Sequence, residues 1–161
     1  MTRWGIIKRL ALVTFVLFLA TNWVAFFDIQ GGSFSQRLLD FRVFGYTAQE
    51  AEMFSRSLSF EEKGAYREVY LILDYVFIGF FGALLYALSQ TIPTRRTPVI
   101  LLGVIVAFVV LDICENLMVS QFVGGQFALA GVAGWVTLSK FVAVALVAVI
   151  LLLTWRKKGF S

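Results

Sequence analysis

The sequence has no histidine, a single cysteine and few charged residues. Without histidine, the chain lacks the commonest general base and the usual protein ligand of zinc, copper and haem. Cys114 has no second cysteine with which to form a disulfide, a CxxC redox pair or an iron–sulfur site within the chain. The GxSxG, P-loop and GxGxxG motifs are absent as well. The sequence therefore predicts no metal and no cofactor, and it leaves carboxylates as the groups for acid–base chemistry or for a hard cation.

The composition is that of a membrane protein. Of 161 residues, 60% are hydrophobic and only 15% are charged, and the mean hydropathy is +0.85. These values lie outside the range of soluble domains. Four apolar windows, at about residues 10–27, 69–88, 99–119 and 135–155, are close to the roughly 20 residues that a helix needs to cross a bilayer. We therefore predict one all-α transmembrane domain over residues 1–161, a four-helix bundle whose long loop covers residues 28–68.

The placement of basic residues predicts the orientation of this bundle. Eight bases flank the windows on one side with no acidic residue among them: Arg3, Lys8, Arg9, Arg95, Arg96, Arg156, Lys157 and Lys158. The loop of residues 28–68 carries seven acids and five bases. The positive-inside rule then places both termini in the cytoplasm and the long loop outside, in a multi-pass protein of the inner (plasma) membrane. The net charge of +4 is explained by topology, and no motif indicates a nucleic-acid partner.

Polar residues inside the windows form a predicted cluster. At a rise of 1.5 Å per residue, these residues lie about 18 to 26 Å from the cytoplasmic ends of their helices, in one layer of the outer half of the bilayer. On the third helix, steps of about 100° bring the polar residues of the stretch LDICENLMVS onto one face. The candidate site consists of Asn22, Asp74, Asp112, Glu115, Asn116 and Lys140.

Two interpretations of this cluster remain open, and the sequence favours the structural one. In that interpretation Lys140 pairs with Glu115 or Asp112, the two asparagines complete the hydrogen bonds, and Arg67 reaches down toward Asp74. In the functional interpretation the cluster lines a solvated cavity, open to the outside, that binds a ligand, a cation or a proton. Three acids against one lysine leave an excess of negative charge for such a role.

The long loop contains two helix-start signals. Thr47 and Glu50 fit the S/T-x-x-E capping box and predict a short helix that ends near Ser57. Ser59 and Glu62 repeat the pattern where the second transmembrane helix is expected to begin. Ala51, Phe54 and Leu58 share one face of the short helix. The sequence favours a helix that lies on the bilayer surface, and the alternative is a lid over the polar cluster.

The middle of the chain resembles a group of small four-span bacterial membrane proteins. The resemblance rests on the GYTAQEA segment, which follows the pattern GYxxxEA, on an Asp early in the second span, and on the DICEN segment, which follows DxxEN in the third. The group has no assigned activity, so the resemblance implies none. It does imply that Asp74, Asp112, Glu115 and Asn116 belong to one set.

Two classes of function follow from these features. The sequence favours an accessory or assembly subunit of a membrane complex, in which the cluster stabilises the bundle and lipid-facing residues contact other membrane subunits. The alternative is a protein that binds a lipid or another amphipathic ligand, or a carboxylate-based membrane enzyme, with the cluster as its pocket. Apart from the lipid bilayer, the expected partners are thus membrane subunits or a lipid-like ligand, and enzymatic activity is not favoured.

Overall fold

Four long helices dominate the chain. The computed structural model describes residues 2–29, 38–92 and 96–158, so residues 30–37 of the predicted outer loop and residues 93–95 of the predicted cytoplasmic loop, with Arg95, lie outside the described residues. The long helices are α1 (Arg3–Trp23, continued by π-helical turns at Val24–Ile29), α4 (Leu71–Ser89), α5 (Arg96–Val123) and α6 (Ala130–Lys158). In the described ranges, all other elements are short helices and turns, which confirms the predicted all-α bundle.

The helices extend beyond the apolar windows. The first begins at Arg3 rather than near residue 10. The second begins at Phe60, where the capping box of Ser59 and Glu62 predicts its start, and α3 (Phe60–Ala65) and a π-helical segment (Tyr66–Tyr70) run directly into α4. This continuous stretch of 30 residues would be about 45 Å long, which exceeds the roughly 30 Å of a hydrocarbon core. Its polar first turns therefore project beyond the apolar layer.

Each helix packs against its neighbour in the chain. The contacts of α1 with α4, of α4 with α5 and of α5 with α6 are the most extensive between elements. At the end that carries the termini, the indole Nε1 of Trp155 donates to Thr91 Oγ1 at 3.1 Å. At the opposite end, Ser55 Oγ donates to the carbonyl oxygen of Phe122 at 2.6 Å. The bundle is thus antiparallel, with the long loop at the end away from the termini.

Two apolar cores occupy the two ends of the bundle. The core on the loop side includes Tyr70, Val119 and Phe122, and the core on the terminal side includes Phe108 and Val147. Between the two cores lies a layer of buried polar and charged side chains from α5 and α6: Asp112, Glu115, Asn116, Thr137 and Lys140.

The outer surface of the bundle is apolar. On α6, for example, Val142, Leu146 and Leu152 are between 48% and 63% exposed. Within the described ranges, four helical stretches of 27 to 30 residues have the length and hydropathy to cross a membrane. Exposed aliphatic side chains along helices of this length are suited to lipid, and the chain is a multi-pass membrane protein.

The predicted short helix of the loop packs onto the bundle. It is α2 (Ala48–Ser57), and both predicted capping boxes are present, at Thr47 with Glu50 and at Ser59 with Glu62. Hydrogen bonds from Thr47 hold the pKa of Glu50 below its ordinary value. The face formed by Ala51, Phe54 and Leu58 is buried. The favoured expectation, in which this face lies on the bilayer surface, is therefore wrong, because the face packs in the apolar core on the loop side of the bundle.

The segment before α2 docks closely on α6. Tyr46 follows Gly45, whose φ of +78° is a conformation that glycine adopts without strain. A Cβ atom at Gly134 of α6 would lie 1.9 Å from the carbonyl oxygen of Tyr46. Glycine at position 134 is therefore required for this approach of loop backbone to helix.

Candidate functional site

Lys140 lies at the centre of the polar layer. Its side chain is buried, its Nζ lies 2.7 Å from Asp112 Oδ1, and it also forms a salt bridge with Glu115 Oε2. The lysine was expected to pair with one of the two carboxylates, and it pairs with both. Since Asp112 and Glu115 are almost one turn apart on α5, one ammonium on the facing helix can reach the two of them.

Further hydrogen bonds extend the layer on both sides of this ion triad. Thr137, one turn before Lys140 on α6, donates its hydroxyl to Glu115 Oε1. Asn116 Nδ2 donates to Asp74 Oδ2 at 2.6 Å and so connects α5 to α4. The Asp74 carboxylate is only partly buried, whereas Glu115 and Asn116 are fully buried. The structure thus brings five of the six predicted site residues into one polar layer, as the ion triad and the Asn116–Asp74 pair, which together we call the polar network.

Asn22 and Arg67 make contacts other than the predicted ones. The Asn22 side chain donates to the carbonyl oxygen of Phe18, one turn earlier in its own helix, at 2.7 Å. Arg67 was expected to reach down toward Asp74, and this expectation is wrong. Its guanidinium donates to the carbonyl oxygen of Ser120 at 3.2 Å, near the outer end of α5. That carbonyl belongs to the last helical turn and also accepts from the backbone N–H of Gly124 at 3.2 Å.

A cavity of about 400 Å³ opens beside the polar network. All four long helices contribute to its wall, and the wall includes four predicted site residues. Asn22 comes from α1, Asp74 from α4, Asp112 from α5 and Lys140 from α6. In the described parts of the chain, α1 and α6 pack mainly on other helices rather than on each other. The cavity therefore lies between two helices, α1 and α6, that are not in extensive contact with each other.

Aromatic rings form most of the remaining wall. Phe18 of α1 lies 6.2 Å from Phe77 of α4, and Phe77 stacks on Phe81 at 5.5 Å. Phe81 in turn meets Phe108 of α5 edge to face, at 5.6 Å between ring centroids. These contacts join three helices into one continuous aromatic surface. The other lining residues are Thr21, Phe41, Tyr70, Phe141 and Val144.

The sequence interpretation missed these aromatic residues and Thr137. Helical spacing is the signal that could have identified the aromatic residues on the long helices, because residues four apart lie on the same face of a helix. Phe18 precedes Asn22 by four residues, as Tyr70 precedes Asp74 and Phe108 precedes Asp112. Phe41 could not have been found in this way, because it comes from a short 3₁₀ turn (Leu39–Phe41) in the loop.

Most of the cavity wall is apolar, and we call the charged part of the wall the rim. The rim holds the carboxylates of Asp74 and Asp112 and the ammonium of Lys140, and fully buried Glu115 lies behind the wall. Among the described residues, no three acidic or cysteine side chains lie close enough together to hold a metal ion. Cys114 is exposed on the outside of the bundle, away from this rim. The arrangement suits a ligand with an apolar body and a polar end.

Comparison with protein-family models, with curated protein sequences and with solved structures gave no match to this chain.

Proposed function

We propose that this protein binds an amphipathic, lipid-like molecule in the cavity between its four long helices. The observation that carries the proposal is a cavity of about 400 Å³ with an aromatic body and a charged rim. Small-molecule pockets in proteins span about 300 to 1,000 Å³ and combine apolar walls with a few polar groups. The apolar part of the ligand would contact the phenylalanines, and its polar end would contact the rim.

The cavity favours the functional interpretation of the polar cluster over a purely structural one. A cluster that only joined helices would be expected to pack closely, because protein interiors contain few voids larger than a water molecule. The ion triad does join α5 to α6, yet Asp112 and Lys140 also border the cavity. We therefore propose that the same residues stabilise the bundle and form the polar end of a ligand site.

The proposal is binding rather than catalysis. Acid–base chemistry needs a group that is placed to exchange a proton with the substrate. Asp112 and Glu115 are both salt-bridged to Lys140, and Glu115 does not line the cavity. These contacts engage two of the three carboxylates in salt bridges within the protein. The rim is therefore better suited to recognising a polar group of a ligand than to exchanging a proton with a substrate.

Native mass spectrometry of the protein, purified in mild detergent, tests the proposal. We expect a stoichiometric small molecule to remain bound to the wild type and to be reduced in the Asp74→Asn and Asp112→Asn variants. Melting temperatures of both variants and of Glu115→Gln would be measured in parallel. Altered stability with unchanged ligand occupancy in all three variants would contradict the proposal and leave the cluster with a structural role.

The second candidate is the accessory or assembly subunit that the sequence favours. Supporting it, Gly79 and Ala83 of α4 are exposed, and a Cβ atom at Gly79 would meet nothing within 4 Å. Small residues four apart on an outward face permit close contact with another membrane helix. For this candidate, a stoichiometric protein should co-purify with the wild type and be lost in Gly79→Leu. Leu146→Phe, a change on the exposed face of α6, is the control that should retain it.

We propose the inner (plasma) membrane as the location, with both termini in the cytoplasm. The support is the charge asymmetry between the two sides of the spans. Membership of the group of small four-span bacterial proteins with the GYxxxEA and DxxEN patterns is likewise a proposal. Its support is the sequence itself, in which the GYTAQEA and DICEN segments follow those two patterns.

A further inference from the structure

We infer that the polar end of the ligand is an uncharged hydroxyl group, which α1 recognises through the side-chain oxygens of Asn22 and Thr21. The inference rests on the proposed function and adds the chemical class of the polar end. Its basis is the hydrogen bonding of these two polar side chains, which α1 contributes to the cavity wall.

The carboxamide of Asn22 has hydrogen-bonding capacity that the described protein does not use. In the described ranges, its side chain makes one hydrogen bond, from Nδ2 to the carbonyl oxygen of Phe18 at 2.7 Å. A carbonyl oxygen only accepts, so this bond fixes which end of the carboxamide is the nitrogen. The amide oxygen keeps two lone pairs and the nitrogen keeps one N–H. Asn22 therefore offers two acceptor positions and one donor, and it lines the cavity.

Thr21 adds a second neutral acceptor on the same helix. Its hydroxyl donates to the carbonyl oxygen of Leu17 at 2.9 Å, and this bond uses its only hydroxyl proton. The lone pairs of Thr21 Oγ1 remain, and Thr21 also lines the cavity. Two adjacent side chains of α1 thus favour a ligand group that donates a hydrogen bond. An ether or ester oxygen, which only accepts, would have the single N–H of Asn22.

The charged side chains of the wall favour a donor without charge. Asp112 and Lys140 oppose each other's charge in a salt bridge at 2.7 Å, and Asp74 accepts a hydrogen bond from Asn116 at 2.6 Å. A charged ligand would compete with these bonds or bury a further charge, and an ionised group is costly to bury unless it is paired. A hydroxyl group carries a donor and no charge. Lipid alcohols with one chain or with a ring system belong to this class.

Paired competition between matched compounds tests the inference. The full-length protein, in a detergent that lacks hydroxyl groups, would be mixed with 1-dodecanol and an equal concentration of dodecyl methyl ether or of dodecylammonium. Native mass spectrometry would count each bound compound. The ether lacks the donor, and the ammonium keeps a donor but adds a charge. We expect the alcohol to occupy the site about fivefold more often than the ether, as the loss of one hydrogen bond predicts, and more often than the ammonium.

The variant Asn22→Leu should abolish the preference for the alcohol over the ether, because leucine has a similar size and no hydrogen-bonding group. Thr14→Val is the matched control. Thr14 is a buried polar residue about two turns earlier on α1 and is not among the lining residues, so the preference should persist in this variant. If Asn22→Leu does not keep its helical content, Asn22→Ala takes its place with the same readout.

Three results would overturn the inference and leave the proposed function standing. They are equal occupancy by the alcohol and the ether, a preference for the ammonium, and an unchanged preference for the alcohol in a folded Asn22 variant. In each of them the cavity still binds a dodecyl compound. No saturable binding of any compound would overturn both the inference and the proposed function.

Discussion

At the scale of single residues, the account depends on Lys140. A lysine at this depth is stable only if its charge is matched, because an ionised group in hydrocarbon costs several kcal/mol. The match comes from two carboxylates on the facing helix, Asp112 and Glu115. Removing one member of such a group is expected to lower the free energy of unfolding by more than the whole group raises it. The reason is that the remaining charges stay buried and unmatched.

A double-mutant cycle on Lys140→Met and Glu115→Gln would measure this coupling. We expect Lys140→Met to lower the free energy of unfolding by about 3 to 5 kcal/mol. The double variant should lose clearly less than the sum of the single changes, since each change removes the partner of the other. The measurement is reversible unfolding in detergent, followed by circular dichroism.

The exposed pair Arg56 and Glu52 on α2 provides the control for this cycle. These residues form an i, i+4 salt bridge in which the Arg56 side chain is 77% exposed. Surface pairs of this kind couple by only about 0.3 to 0.5 kcal/mol. A coupling between Lys140 and Glu115 no larger than that of the control would show that the triad does not form in the membrane protein.

The residues of the triad could be predicted, and some of their partners could not. A charged residue in an apolar window stands out, and the helical rise places Lys140 at the same depth as Asp112 and Glu115. Thr137 gave no such signal, because a threonine within a helix commonly bonds back to its own backbone. It does so here with the carbonyl oxygen of Ala133 at 3.1 Å, in addition to its contact with Glu115.

At the scale of elements, the segment from Gly45 to Ser57 acts as a cover that is fixed to α5 and α6. Ser55 of α2 donates to Phe122 at the end of α5, and the backbone at Tyr46 lies against Gly134 of α6. The buried face of α2 adds apolar contact between these two points. The position of the cover therefore depends on small residues and backbone contacts as well as on hydrophobic burial.

The Gly134→Ala variant should displace the segment around Tyr46. A Cβ atom at position 134 would lie 1.9 Å from the Tyr46 carbonyl oxygen, so the loop backbone must move away from α6. Gly131→Ala, almost one turn earlier on α6, is the control, because a Cβ atom there meets nothing within 4 Å. We expect faster amide hydrogen exchange around Tyr46 in Gly134→Ala and unchanged exchange in the control. Equal exchange in the two variants would contradict the close docking described here.

The starts of the elements were more predictable than their irregular turns. Both capping boxes are local patterns, in which a hydroxyl and a carboxylate three residues apart satisfy free backbone donors, so the sequence alone identifies them. The π-helical turns at Val24–Ile29 and Tyr66–Tyr70 have no such local pattern. These two segments contact each other, and such a wide turn depends on packing between helices that are distant in the sequence.

At the scale of the whole molecule, the arrangement of charge predicts which end faces the cytoplasm. The structure places residue 49 and residue 90 at opposite ends of the bundle, and both side chains are exposed. In a Cys114→Ser background, a membrane-impermeant maleimide added to intact cells should label Gln49→Cys. It should label Gln90→Cys only after permeabilisation, because the positive-inside rule places that end in the cytoplasm. The reverse pattern of labelling would contradict the predicted orientation.

The fold was predictable at this scale, and the cavity was not. Four apolar windows and the bilayer thickness define a four-helix bundle without knowledge of any contact. A cavity depends on how closely particular side chains approach one another across helices. The spacing of Phe77 and Phe81 predicts that they share a face of α4, but not that an open space lies between this face and Val144 of α6.

The most direct test of the proposed ligand site is to fill the cavity. Val144 lines it, whereas Val142 on the same helix is 51% exposed on the outer surface. The measurement is the stoichiometry of bound small molecule, by native mass spectrometry, for the wild type and for the Val144→Trp and Val142→Trp variants. The account predicts that the wild type and Val142→Trp retain the bound molecule and that Val144→Trp loses it while keeping its helical content. Retention of the molecule by a folded Val144→Trp variant would contradict the claim that this cavity is the ligand site.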